Sequence, residues 1–215
     1  MNTTPWASPT ASANRRNLLL LVLLCCMGCS TAAYYTYLKP LATGPIIATR
    51  HSLDYQAELF TLRLTALKGD EKKAAGRELG FPVDRFVTHY LALRLVFTNT
   101  SQTPMSINYD TIYFQFPDAS PSYSLDFFSL LTAANKAGNS TAERYIQQNL
   151  KQGRQTIPSQ RCQTSLLVFP RIDTHSQNAF LVFANIYVNG ESKALRLPFT
   201  IDRSKDIAQA ETMGF

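Results

Sequence analysis

Residues 179–201 read AFLVFANIYVNGESKALRLPFTI, and this stretch decides the fold class. Apolar residues alternate before Asn189 and again after Gly190, and a period of two predicts strands with one face toward a core. Asn-Gly between two such runs is the signature of a type I′ hairpin turn. We therefore predict two antiparallel strands. The residues expected on their core faces are Phe180, Val182, Ala184, Ile186 and Val188, then Leu195, Leu197, Phe199 and Ile201.

The same period of two recurs upstream, most clearly in residues 91–98, which stop at the turn-rich cluster 99–102. Between residues 53 and 66 the alternation shifts by one position, as it would at a β-bulge. We interpret the charged segment 68–80 as a loop. The other residues expected on strand faces are Leu91, Leu93, Leu95 and Phe97; Ile112, Phe114 and Phe116; and Cys162, Thr164, Leu166 and Val168. About seven short strands with regular turns predict an antiparallel sandwich.

A helical insertion interrupts this strand pattern at residues 125–152. Ser140 and Glu143 have the spacing of a capping box, which predicts a helix beginning near Ser140. Its apolar face would carry Ala142, Ile146 and Leu150. A second short helix is expected over residues 125–134.

The N-terminal stretch RRNLLLLVLLCCMGCS, residues 15–30, is typical of an export signal. Two arginines precede an apolar run over residues 18–27, and the first acidic residue of the chain is Asp54. Residues 26–29, Cys-Met-Gly-Cys, resemble a bacterial lipobox. That resemblance implies cleavage before Cys29 and attachment of acyl chains to the Cys29 side chain, so that they anchor the protein to a membrane.

Two alternatives to cleavage remain open. Residues 18–38 contain no charged side chain. A helix of these 21 residues would rise about 31 Å, enough to cross a bilayer as a signal anchor. A buried core helix is the third alternative, but the uniform Leu run lacks a polar face. The first two place the remainder of the chain outside the cytoplasm. We thus predict a signal peptide at 1–28, a tether at 29–51, a sandwich domain at 52–202 and a flexible tail at 203–215.

Residues 88–202 resemble the immunoglobulin-like, telokin-like domains of many bacterial surface lipoproteins. The segments that carry the resemblance are LALRLVFTNTSQTPMSI, IPSQRCQTSLLVFP and the hairpin quoted above. The resemblance implies a β-sandwich in the bacterial cell envelope, and it supplies no catalytic residues. Ser30 after Cys29 favours the outer membrane, facing the periplasm.

The sequence carries no motif for catalysis, metal or cofactor binding. His51, His89 and His175 are far apart and lack metal-ligand spacing, and no nucleophile elbow or phosphate-binding loop is present. The net charge is +6, but no basic run exceeds two residues, so we expect no nucleic-acid partner. Cys162 is interpreted as a buried small apolar residue. We expect a protein that is not an enzyme and that has no metal and no small-molecule cofactor.

The connection around residues 123–131 is the predicted binding surface, because a large apolar patch on a connection marks an interface. The residues assigned to it are Tyr123, Leu125, Phe127, Phe128 and Tyr145. An alternative is that the segment covers an open end of the sandwich. We expect an acyl-anchored lipoprotein that binds another envelope protein or an envelope polymer. A single-span subunit of an envelope assembly and an envelope hydrolase are the other hypotheses.

Overall fold

The structure is a computed structural model that describes residues 35–171 and 174–204. These residues form two antiparallel sheets and four short helices, so the predicted mainly β, sandwich-like fold is confirmed. The strands are β1 Tyr35–Pro40, β2 Ile46–Ala48, β3 Ser52–Gln56, β4 Phe60–Ala66, β5 Tyr90–Asn99, β6 Met105–Asn108, β7 Ile112–Gln115, β8 Ser122–Tyr123, β9 Arg154–Ile157, β10 Cys162–Pro170, β11 Asn178–Val188 and β12 Glu191–Ser204. The helices are α1 Gly69–Glu78, α2 Val83–His89, α3 Phe127–Lys136 and α4 Ser140–Asn149.

Sheet 1 contains seven strands and is built around the β11–β12 hairpin. Its order is β1-β12-β11-β6-β9, and β7 pairs with the first half of β11 and with β8. Asn189 and Gly190 have φ angles of 51° and 85°, the positive values that a type I′ turn requires. The predicted hairpin is therefore confirmed. Sheet 2 contains five strands in the order β10-β5-β4-β3-β2.

The main core lies between the inner faces of the two sheets. The face of β5 predicted from its alternation is confirmed, since Leu93, Leu95 and Phe97 have no solvent exposure. Ile112 and Phe114 of β7 are also buried, and the Phe114 ring packs edge-on against Phe169 and Phe199 from both sheets. Alternation therefore predicts the core face correctly for β5 and β7.

The core face predicted for β11 is wrong in its first half. The β11–β12 register shifts between Phe183 and Ile186, which is the mark of a β-bulge. Ala179, Leu181 and Phe183 occupy the core before the bulge, and Ile186 and Val188 occupy it afterwards. Phe180 and Val182 consequently lie on the outer face of sheet 1. Almost every position of β11 is apolar, so the alternation by itself could not identify the inner side.

A second core lies between sheet 2 and the helices. Ala92 of β5 and Leu166 and Val168 of β10 point away from the main core and are covered by helical residues. The helical residues that share this cluster are Ala75, Phe86, Ala134, Ala142 and Ile146. The outer face of sheet 2 is therefore partly buried, and the architecture has a helical layer in addition to the two sheets.

Segment 68–80, predicted as a loop, contains helix α1, and α2 was not predicted. Ala75 of α1 is buried, and a Cβ atom at Gly76 would lie 2.8–2.9 Å from Phe86 atoms of α2. Glycine is thus required where these two helices meet. Both helices are short, so they depend on tertiary packing against sheet 2 rather than on a strong local pattern.

The phase shift between residues 53 and 66 is a hairpin and not a bulge. β3 pairs with β4 in antiparallel register from Ser52↔Thr65 to Gln56↔Thr61. Both strands direct their apolar residues into the same core, so the alternation restarts on the far side of a short turn. Cys162 is exposed, which corrects its assignment as a buried residue.

The predicted domain boundaries also change. β1 and β2 lie within the segment predicted as a tether at 29–51, and Tyr37 and Leu38 of β1 are buried. Residues 35–38, which the predicted signal anchor at 18–38 would include, form a strand with β12. β12 runs to Ser204, past the predicted start of the tail at residue 203.

The signal peptide at 1–28, Cys29 and residues 205–215 lie outside the described residues. Within the described residues, no helix has both the length and the apolar character needed to span a membrane.

Candidate binding surface

The structure separates the five residues of the predicted binding surface. Tyr123 of β8 and Phe128 of α3 are 53% and 61% exposed, respectively. Leu125, Phe127 and Tyr145 are partly buried and pack against the second core. Burial also raises the pKa of the Tyr145 phenol, and the nearby charge of Glu78 adds to this effect. Two of the five side chains are therefore open to a ligand, and three contribute to the fold.

The insertion at 125–152 contains the two expected helices and covers part of sheet 2. Each helix begins at a side-chain cap: Asp126 Oδ2 accepts from Ser129 N at 2.7 Å, and Asn139 Oδ1 accepts from Ala142 N at 3.1 Å. Hydrogen bonding by Ser129 lowers the pKa of Asp126. The cap of α4 is thus Asn139 and not Ser140 as the capping box predicted. Ala142 and Ile146 are buried, so the insertion is part of the second core.

An aromatic surface lies on the outer side of sheet 1, and we call it the aromatic face. It is defined by Tyr113, Gln115, Tyr123, Arg154, Phe180, Tyr187 and Arg196. In its central row, Tyr123 pairs with Tyr113, Tyr113 with Val182, and Val182 with Arg196. The rings of Tyr113 and Tyr123 are 5.2 Å apart between centroids. The row crosses four neighbouring strands.

Two arginines lie over aromatic rings of this face. The Arg196 guanidinium is 4.7 Å from the ring centroid of Phe180, and its Nη2 donates to Oε1 of Gln115 at 2.9 Å. The Arg154 guanidinium is 3.8 Å from the ring centroid of Tyr187. Both distances are within the range of cation–π attraction, about 6 Å. The two cations are consequently held in place before any ligand arrives.

The aromatic face has no carboxylate within its central strands. The sequences of β6, β7, β8, β9 and β11 contain neither Asp nor Glu. β12 has acidic residues only near its ends, at Glu191 and Asp202, and Asp202 is paired with Lys39 at 2.6 Å. These five strands therefore contribute no negative charge to the aromatic face; beside Arg154, the Asp110 carboxylate accepts from the Gly153 backbone N–H at 2.9 Å.

The carboxylate of Asp118 joins the connections that precede β8 and β11. It accepts hydrogen bonds from the Thr174 hydroxyl at 2.5 Å, from the His175 backbone N–H at 2.8 Å and from the Ser176 hydroxyl. The hydroxyls of Ser176 and then Thr174 hold the pKa of Asp118 well below its usual range. This contact fixes the two connections next to one end of the aromatic face.

The described residues offer few groups for other chemistry. Within residues 35–171 and 174–204, no group of three or more His, Cys, Asp or Glu side chains is placed to hold a metal ion. The three histidines lie in separate segments, and Cys162 is a free thiol. The aromatic face is suited to binding a ligand, because it combines accessible rings with oriented guanidinium groups.

Sequence reasoning identified Tyr123 and missed the other members of the aromatic face. The alternation places Phe180 in the core, and it does not distinguish Tyr113, Tyr187 or the two arginines from other surface residues. The outward positions of β7 were available as a signal, since Tyr113 and Gln115 alternate with Ile112 and Phe114. Their neighbours across the sheet could not be known without the strand order.

Comparisons with protein-family models, with curated proteins and with solved structures give no match to this chain.

Proposed function

We propose that this chain is an exported, membrane-anchored envelope protein that works by binding and not by catalysis. Its binding surface is the aromatic face of sheet 1. The observation that carries the proposal is the combination of exposed and half-buried rings on β7, β8 and β11, which lack acidic residues, with Arg154 of β9 and Arg196 of β12. The export signal at residues 15–30 and the lipobox-like Cys29 support the anchor.

The outer face of a solvated antiparallel sheet normally carries polar side chains. Here Tyr123 leaves 53% of its surface in water, and the Tyr113 ring extends the same surface. Exposed apolar surface of this kind marks an interaction site more often than it serves the fold. The stacked arginines are ordered in advance, which reduces the entropy lost when a ligand binds.

The position of β1 supports attachment close to a membrane. Only residues 30–34 separate Cys29 from the first strand. Five fully extended residues span at most about 18 Å. An anchor at Cys29 would therefore keep the sandwich near the membrane surface, where envelope components are within reach.

The anchor predicts a specific intact mass for the protein extracted from its native membrane. We expect a mature chain that begins at Cys29 and carries added acyl mass, because acyl chains must replace the apolar segment that cleavage removes. Mass spectrometry of the detergent extract measures this. Full-length mass without lipid would instead establish a retained N-terminal segment as the anchor. Recovery in the soluble fraction would contradict membrane anchoring in either form.

The aromatic face predicts binding to washed envelope fragments. We expect the double variant Tyr113→Ala/Tyr123→Ala to bind about tenfold more weakly, since each aromatic contact contributes on the order of 0.5–1.5 kcal/mol. Co-sedimentation of the detergent-purified full chain measures the dissociation constant. Phe128→Ala is the matched control, because Phe128 is 61% exposed but lies on α3. Equal loss in the control and the double variant would contradict the assignment of the site.

A further inference from the structure

We propose that the ligand of the aromatic face is a carboxylate-bearing glycan strand of the peptidoglycan type, whose free carboxylates lie on the peptides attached to its sugars. This inference rests on the proposed function and adds the chemical class of the ligand. It follows from three properties of the face: its size, the kind of apolar surface it exposes and its charge.

The size of the aromatic face suits a narrow ligand. Three strand spacings separate Tyr123 from Arg196, a width of about 14 Å, and seven residues separate Phe180 from Tyr187, a length of about 23 Å. These two lengths outline a flat area of about 320 Å². An area of this size can bind a single polymer chain.

The apolar surface of the face consists of rings. Val182, in the middle of the central row, is only 4% exposed, whereas Tyr123 is 53% exposed and Tyr113 is partly accessible. The rings of Phe180 and Tyr187 lie under Arg196 and Arg154, so the Tyr113 and Tyr123 rings are the ones offered to a sugar. The π face of an aromatic ring carries negative charge density. The C–H groups on the apolar side of a sugar ring are weakly positive, so sugar rings lie flat on such rings. An aliphatic protein surface would gain no such directional contact.

The charge of the face selects an acidic glycan over a neutral one. A guanidinium group has five N–H donors, and Gln115 accepts from one of those of Arg196. The remaining donors can bind a carboxylate in the bidentate geometry that arginine favours. Arg154 lies near Tyr187, beyond the bulge of β11. It provides a second cation for another carboxylate of the same glycan chain.

The test uses the full chain in detergent and two forms of one polymer. Protein-free peptidoglycan is compared with the same material after its carboxyl groups have been converted to amides. We expect co-sedimentation with the untreated polymer and about tenfold weaker binding to the amidated form, since a charged hydrogen-bonded pair contributes about 1.5–3 kcal/mol. Arg154→Gln/Arg196→Gln should weaken binding to the untreated polymer to the same extent. Arg144→Gln, an exposed arginine on α4, is the matched control.

Three results would overturn the inference. Equal binding to both polymer forms would mean that carboxylates are not recognised. Binding to envelope fragments that disappears after protease treatment, without binding to peptidoglycan, would assign a protein partner and leave the proposed function intact. Absence of binding to peptidoglycan and to untreated envelope fragments alike would remove the proposed function as well.

Discussion

Replacement of Asn99 by alanine is expected to lower the free energy of unfolding by about 3–5 kcal/mol, because buried polar groups would lose their partners at about 1–3 kcal/mol each. Asn99 has no solvent exposure and closes the end of β5. Its Nδ2 donates to the backbone carbonyls of Thr103, Ile157 and Pro158 at 2.8–3.1 Å. Its Oδ1 accepts from the backbone N–H and the hydroxyl of Ser101 at 2.9 and 2.7 Å.

Asn99 therefore ties the turn after β5 to the end of β9, next to the Met105↔Ile157 pair of β6 and β9. Alanine would remove the buried hydrogen bonds to the Ile157 carbonyl and from the Ser101 backbone N–H and hydroxyl. Urea unfolding followed by circular dichroism measures the change. Asn185→Ala is the matched control, since the half-buried Asn185 side chain accepts a single hydrogen bond, from Ser192 at 3.0 Å. A loss below about 1 kcal/mol for Asn99→Ala, the net value of one ordinary hydrogen bond, would refute this account of the network.

Replacement of Phe86 by alanine is expected to lower the free energy of unfolding by about 3–5 kcal/mol, the range found when a buried aromatic residue is truncated. The Phe86 ring has no exposure, and its centroid lies 5.4 Å from that of Phe81 and 5.5 Å from that of Tyr90. Gly76 lies directly against it. Since α1 and α2 meet the sheet at this ring, the variant should loosen both helices before the sandwich itself unfolds.

The measurement is again urea unfolding, together with hydrogen exchange of the α1 and α2 backbone amides. Faster exchange confined to these helices would show that the stability is lost in the second core. Phe128→Ala is the control, because surface substitutions usually change stability by less than about 0.5 kcal/mol. If both phenylalanine variants had the same small effect, the second core would not be the source of the helices' stability.

Some elements of this fold could be predicted because their cause is local. The β11–β12 hairpin depends on the Asn189-Gly190 turn, whose positive φ angles follow from the residue types. The strand β5 has an apolar side and a more polar side, so its alternation identifies the core directly. Helix α4 likewise carries Ala142, Ile146 and Leu150 at helical spacing.

Other elements could not be predicted because two patterns fit equally well. The segment 69–78 has a charged composition that suits a loop or an exposed helix. Tertiary contacts, such as those of Ala75 in the second core and of Gly76 against Phe86, make it a packed helix. In β11 the run of apolar residues suits either face. The bulge between Phe183 and Ile186 changes which alternate residues of β11 face the core. It is recognised from the shift in the pairing of β11 with β12.

The sequence by itself determined the strand-rich class, the hairpin, the helices of the insertion and the prediction of an exported, anchored chain, because each depends on residues near one another along the chain. Only the tertiary structure decided which face of sheet 1 remains open and that Tyr113, Tyr123, Phe180 and Arg196 share it. These residues are up to 83 positions apart, from 113 to 196. Strand pairing brings them together, and the strand order has no signature in the local pattern.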